Sequence, residues 1–183
     1  MVVVVSTKTF LRSSELTQPE DLDNGAWTRR AVLLLRLALG LLWASNVAWK
    51  LPPSFGNLRQ YVVDASTHQV LAPFGWLMSH LVLPNFVPFA WATLLFESLL
   101  GVLLLAGLLT RLAAVLALFQ VGAITLSVAN TPGEWPWSYF LMMLAHLVVL
   151  AVGAGRVGGL DGLLRPQWRT SPSTLAAFAM RAS

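Results

Sequence analysis

FAWATLLFESLLGVLLLAGLL, residues 89–109, carries a single charged side chain, Glu97, within 21 positions. At 1.5 Å per residue, about 20 residues cover the hydrocarbon core of a bilayer, so this stretch is a membrane span by length and composition. An isolated carboxylate at the middle of a span costs about 3 kcal/mol or more unless it is paired, protonated or wet. Glu97 therefore marks a site, and the question is which other groups share its depth.

The rest of the chain fits a membrane frame. Of 183 residues, 56% are hydrophobic and only 11% are charged, too few charges to cover a soluble domain. Three more segments read as spans: Ala31 to Lys50, Leu112 to Asn130, and Trp137 to about Gly153. Pro52, Pro53, Pro84, Pro88, Pro132, Pro136 and Pro166 all fall between or beyond these segments, where a missing donor does least harm. The expected fold is an all-α integral membrane protein, a bundle of four transmembrane helices. Residues 31–165 form the membrane domain, 1–30 a polar N-terminal tail and 166–183 a C-terminal tail. The opening Val2 to Val5 is too short for a signal-peptide core. The Pro, Ser and Ala content of Ser171 to Ser183 argues against order there.

Lys and Arg counts set the orientation. Basic residues gather before the first span, at Arg111 in the turn between the second and third, and at Arg156, Arg165, Arg169 and Arg181 after the fourth. The opposite side has Lys50 and Arg59. Both termini are thus expected in the cytoplasm of a bacterial cell, with the chain crossing the inner membrane several times. Trp49, Trp76, Trp91, Trp135 and Trp137 fall near the outer side, as an aromatic belt should. In the long connection from Leu51 to Pro88, Ser54 is a candidate cap for a short helix with Phe55, Leu58, Tyr61 and Val62 on one face. A second apolar piece, Phe74 to Leu83, is too short to span. Both read as interfacial or re-entrant pieces over the outer mouth of the bundle, with an ordinary ordered loop as the alternative.

The formal charge of +4, from 12 basic and 8 acidic residues, lies beside apolar segments rather than on a separate stripe, so nucleic acid is not an expected partner. Cysteine is absent, which removes disulfides, thiol redox chemistry and thiolate metal sites. His68, His80 and His146 lack metal-ligand spacing, and no metal and no tightly bound cofactor is expected. GAGRVG at 153–158 matches the dinucleotide pattern GxGxxG. It follows a membrane helix rather than a strand, so its glycines are expected to end the fourth helix instead.

Depth arithmetic gathers polar groups. Trp43, Glu97, Gln120 and His146 each fall roughly 10 to 18 Å from one surface at 1.5 Å per residue. Arg36, Gly40, Trp43, Val47 and Lys50 share a stripe of the first segment, and Tyr139, Met142, His146 and Gly153 share one of the fourth. Such a set suits a small-molecule pocket in the bundle centre, with Glu97 and His146 as the catalytic, proton-handling pair. A quinone would suit it as substrate, since its oxygens need proton donors and its ring needs aromatic walls. Trp43, Arg36, Gln120 and Tyr139 are the candidate quinone-binding residues, with Phe96 a further wall. The competing structural reading pairs Glu97 with Arg36 to hold two helices in register, with Gln120 and His146 as interhelical hydrogen-bond partners. His68 and His80 read as surface residues.

Several pieces in order resemble the DoxX/DoxD family of four-helix membrane proteins, over about Arg36 to Arg165. They are RLALG at 36–40 with Lys50 closing the first helix, Glu97 with Gly101, GLLTRLAA at 107–114, and GAGR at 153–156 followed by Asp161. The long loop and the Trp137–Tyr139 start of the fourth helix are similar to the DoxD branch, the membrane subunit of thiosulfate:quinone oxidoreductase. Asn46 stands where a glycine is common in that pattern. The resemblance implies oxidation of thiosulfate to tetrathionate, electrons passed to membrane quinone, and a partner subunit. An anionic sulfur substrate would then approach Lys50 and Arg59. The alternatives are a non-catalytic scaffold subunit of a larger redox complex and, more weakly, a proton-coupled carrier, which would require a homo-oligomer to supply the usual symmetry.

Overall fold

The computed structural model describes residues 25–183, and the described chain is all helical with turns between the helices. The expected N-terminal tail lies, for residues 1–24, outside the described residues. Helix α1 spans Ala26–Ala48, α2 Leu58–Thr67, α3 Ala72–Leu77, α4 Phe86–Ala106, α5 Thr110–Val128, α6 Trp137–Val152, α7 Leu160–Thr170 and α8 Thr174–Ala182. A π-helical turn, Met78–Val82, continues α3, and a 3-10 turn, Ala154–Arg156, follows α6.

Three helices, α1, α4 and α5, are long and apolar enough to cross a membrane. The fourth expected span, α6, is apolar but has 16 residues, about 24 Å at 1.5 Å per residue. Boundaries move by a few residues from those expected. One of these shifts puts Pro88 inside the first turn of α4 rather than before it, at a position whose N–H has no intrahelical partner anyway.

The bundle is built from antiparallel neighbours. α1 packs on α4 where small residues allow close approach: a Cβ added to Gly101 would sit 3.5 Å from the Gly40 carbonyl oxygen and the Ala44 nitrogen. Close backbone contact is how apolar helices associate when lipid offers no hydrophobic contrast. α4 ends because Gly107 adopts a left-handed conformation (φ 66°), which lets Leu108 N–H reach back to Leu103 O at 3.0 Å. Two residues later Leu109 repeats that conformation without a glycine, and α5 starts. The buried core joins Leu39 and Trp43 of α1, Leu100 and Leu104 of α4, Ala113, Ala117 and Val121 of α5, and Val149 of α6. The outward faces remain apolar, with Leu95, Leu99 and Val102 on α4 and Phe140, Leu144 and Leu147 on α6 all exposed.

The connection between α1 and α4 folds into a cap over one end of the bundle, the end that carries Lys50. Leu58, Val62 and Ala65 form the buried face of α2; Val62 and Ala65 meet Met78 and Val82 of the π turn, Leu58 packs with Phe55 and Ala90, and Phe86 and Phe89 close around both groups. Of the expected apolar face, Leu58 and Val62 are buried on α2, while Phe55 lies in the turn before the helix and Tyr61 lines the cavity described below. The expected cap is absent: α2 starts at Leu58 after Asn57, and the Ser54 hydroxyl accepts from Gly56 N–H (3.4 Å) instead. A two-residue positive-φ turn at Phe55 and Gly56 displaces the helix start beyond the reach of Ser54.

The C-terminal segment, expected to lack order, forms α8. The Ser173 hydroxyl caps it by accepting from Ala176 N–H at 3.1 Å. Arg165 of α7 ties down its far end by donating to Met180 O at 3.0 Å and to the Ser183 carbonyl and hydroxyl.

Candidate functional site

Glu97 lies near the middle of α4 and is fully buried. Its partner is Lys50. α1 stops at Ala48, and the chain turns over the helix end with Lys50 N–H on Val47 O, so the ammonium points back into the bundle. Lys50 Nζ donates to both carboxylate oxygens, at 2.7 and 2.5 Å, and the lysine is only 3% exposed. This is the only ion pair among the described residues. Asn46, one turn earlier on α1, donates from Nδ2 to Oε2 at 3.1 Å, and Gln120 of α5 donates from Nε2 to Oε1 at 3.1 Å. Each oxygen therefore accepts two bonds. The Asn46 amide is held in that orientation by Trp49, whose Nε1–H donates to Asn46 Oδ1 at 3.1 Å.

The carboxylate forms part of the wall of a cavity of about 470 Å³, within the size range of small-molecule sites. α1 contributes Asn46, the α4 wall has Thr93 one turn before Glu97, and α5 supplies Gln120 and Ser127. Tyr61 and Tyr139 close the side nearer the α2–α3 cap. Tyr139 O–H donates to Glu134 at 2.7 Å, which places a second carboxylate at the edge of the site.

Trp43 and His146 form a separate pair. Trp43 Nε1–H donates to His146 Nε2 at 3.1 Å, and the imidazole Nδ1 lies 2.7 Å from Met142 O. Both contacts are satisfied together only by the neutral tautomer with the proton on Nδ1. Both ring nitrogens are thus engaged within the core. His146 and Trp43 are fully buried and neither lines the cavity. Equal depth brought the four residues to one level, but rotation about the helix axes put Trp43 and His146 in one cluster and Glu97 and Gln120 in another.

Arg36 corrects the sequence reading twice. It neither pairs with Glu97 nor belongs to the cavity, because it lies at the opposite end of the bundle. Its Nη2 donates to Gly158 O at 3.2 Å, and a Cβ on Gly107 or Gly159 would overlap its Nη1. Beside it, Asp161 accepts from Leu109 N–H (2.7 Å), Thr110 N–H (3.0 Å) and the Thr110 hydroxyl (2.6 Å), which in turn accepts from Gly155 N–H (3.1 Å). The Lys50 expectation also needs correction. Its ammonium is committed to Glu97 inside the bundle, so an anion arriving at that end meets the exposed Arg59 on α2 instead. Phe96 packs in the core away from the cavity. His68 and His80 are exposed, and the glycines of residues 153–158 end α6, with Gly153 at φ 59°. Among the described residues no group of three or more His, Cys, Asp or Glu could hold a metal ion.

Asn46 and Glu134 were not among the predicted site residues. Asn46 precedes Lys50 by four positions and so shares its helix face, which was the available signal. Glu134 had a weaker one, as a lone carboxylate in the short segment between two apolar helices.

A family model described as "TQO small subunit DoxD" matches residues 32–179. The chain belongs to the DoxD family. No curated protein and no solved structure matches it. Membership in DoxD and the three long apolar helices make this a membrane protein. The pieces that carried the resemblance divide between the two ends of the bundle. Lys50 and Glu97 make the ion pair at the cavity, while Arg36, Gly107, Thr110, Gly155 and Asp161 make the compact cluster at the other end.

Proposed function

We propose that this chain is the integral membrane subunit of a thiosulfate:quinone oxidoreductase, and that quinone binds in the cavity beside Glu97. The observation that carries the reading is a cavity of small-molecule size, deep in a membrane protein, walled by a buried Lys–Glu pair. In this reading α6 is the fourth span. Trp135 and Trp137 stand at one end of it, Gly153 and Arg156 at the other, and its outward face is as apolar as that of α4. The Asp161 end, with Arg111, Arg156, Arg165, Arg169 and Arg181, faces the bacterial cytoplasm, and the Lys50 end faces outward. The α2–α3 cap then lies over the outer mouth.

The chemistry balances without a metal or cofactor held by this chain. Two thiosulfates join to tetrathionate and release two electrons, and quinone takes up two electrons and two protons to become quinol. Lys50 supplies an N–H at the cavity wall for a reducing quinone oxygen, and Glu97 stabilises the ammonium and receives the returning proton. Gln120 orients the carboxylate. Tyr139, hydrogen-bonded to Glu134, joins the cavity to the outer surface for proton exchange. The thiosulfate site requires a partner subunit, with Arg59 the exposed cation on this chain's outer cap.

A second reading, a non-catalytic anchor in a larger complex, is favoured by one observation: both Glu97 oxygens are already saturated by protein groups. Purification in mild detergent followed by quinone extraction separates the two. Stoichiometric quinone in the native protein, with turnover abolished in a folded Glu97→Gln variant, is the expected result. A stable complex that holds no quinone, or full turnover in Glu97→Gln, would rule the redox site out.

A further inference from the structure

Three guanidinium groups meet at the Asp161 end. Arg156 Nη2 donates to the Ser183 carbonyl at 3.1 Å, and Arg165 Nη1 donates to the same carbonyl at 3.2 Å. Arg111 Nη2 reaches Ala151 O at 3.4 Å, while its Nε is buried with no acceptor. Arg156 is held below the usual guanidinium value, chiefly by burial, then by the positive charges of Arg165 and Arg111, with Asp161 opposing. Asp161 is the acidic side chain that acts on Arg156, but its oxygens accept from Leu109 and Thr110 rather than from a guanidinium. Among the described residues, none of the three arginines makes an ion pair with an Asp or Glu side chain. Three guanidinium groups stand beside one acidic side chain, Asp161, so the cluster keeps a net positive charge.

Beside it are apolar side chains in the open. Leu163 of α7 is 71% exposed, and Leu175 and Phe178 of α8 are 79% and 54% exposed. Each helix repeats its exposed apolar residues at a three-residue spacing, Leu160 with Leu163 and Leu175 with Phe178, so each shows a stripe rather than scattered contacts. The stripes end in cations, Arg169 on α7 and Arg181 on α8. An open groove of about 490 Å³ runs between the start of α7 and the end of α4, lined by Arg156, Gly158, Gly159, Leu160 and Leu163. α7 follows directly on the bend that ends α6, so the pair of helices sits at the level where the bundle leaves the membrane.

We propose that the α7–α8 pair is a docking surface for anionic membrane lipids. The headgroup phosphate is held by Arg111, Arg156 and Arg165, and Leu160, Leu163, Leu175 and Phe178 are set among the first acyl carbons. Charge complementarity selects this occupant. A zwitterionic lipid also offers a phosphate, but its own headgroup cation cancels that charge and leaves the positive cluster unbalanced, and a soluble acidic partner would leave the leucine and phenylalanine stripes exposed to water. The proposal is independent of what binds near Glu97.

The chain contains no cysteine, so a single Leu163→Cys or Phe178→Cys change takes an environment-sensitive fluorophore at one place only. The labelled full-length protein is reconstituted into vesicles of phosphatidylcholine, with and without phosphatidylglycerol. The expected result is quenching by brominated acyl chains and protection from aqueous iodide, both strengthened by phosphatidylglycerol. Native mass spectrometry should show phosphatidylglycerol retained over phosphatidylcholine. That preference should fall about fivefold for each arginine changed to glutamine and persist for lysine. Iodide quenching in both vesicles, together with equal retention of the two lipids, would overturn the proposal. So would a preference that the triple glutamine variant keeps.

Discussion

The two ends of the bundle each bury a carboxylate and a cation, and they use them differently. Asp161 accepts from two backbone N–H groups and the Thr110 hydroxyl, and glycines close around the cluster: a Cβ on Gly155 would overlap Asp161 and one on Gly107 would overlap Arg36. Glu97 accepts from three side chains, on two helices and one helix end, and forms part of a cavity wall. A carboxylate bound to backbone fixes the path of the chain. One bound only by side chains can exchange a partner for a ligand without moving the backbone. On the proposed function, the Asp161 end serves stability and the Glu97 end serves the ligand.

The largest effect should come from Asp161→Ala. It removes the acceptor for Leu109 N–H and Thr110 N–H where α5 starts, and leaves Arg36 without its nearest counter-charge. Buried donors left unpaired in this way cost about 1–3 kcal/mol each, so a loss of about 3–5 kcal/mol is expected. Thermal unfolding in detergent measures it, and whatever protein survives should keep its quinone. Loss of quinone without loss of stability would break the comparison at its first term.

Lys50→Met should cost about 3 kcal/mol, because it leaves Glu97 as an uncompensated buried charge. The double variant Lys50→Met/Glu97→Leu sharpens the contrast. Removing both partners should restore part of the stability, since an apolar pair of similar volume replaces the ions, while Asn46 and Gln120 lose the acceptor they share. It should not restore turnover. Stability and turnover recovering together would mean that the pair is structural, as in the anchor reading.

The sequence made much of this arrangement legible, and the limits have physical causes. Hydropathy located α1, α4 and α5 because a span must be apolar along its whole length, which any window detects. Depth put Glu97 and Gln120 at one level, where they meet in a hydrogen bond, since rise per residue is fixed in a helix. Rotation about the helix axis was less well determined, and that is why Trp43 and His146 were grouped with Glu97. Lys50 was read as a cation that an anionic substrate would approach, because it and Arg59 are the basic residues of the outer side. Its four-carbon stem lets the ammonium lie far from the backbone position, here inward toward Glu97. The Asp161 cluster entered only through resemblance, because nothing in the local sequence says that a residue at the start of α7 reaches Leu109 and Thr110. The order of α8 was missed because its stability comes from Arg165 and the Ser173 cap rather than from its own composition.

The smallest effect tests that rotational distinction. His146→Gln keeps an acceptor within reach of Trp43 Nε1 and a donor within reach of Met142 O, so it should cost about 1 kcal/mol in thermal stability. Turnover should stay within about twofold of the native protein, as expected for a residue that does not touch the bound molecule, with the effect of a lost hydrogen bond confined to packing. A collapse of turnover at unchanged stability would place His146 in the proton path after all. The two buried clusters would then act as one site, with Trp43 and His146 supplying a second route for protons to the cavity. The present assignment predicts no such link, because the one lone pair through which the neutral imidazole could take a proton is already filled by Trp43.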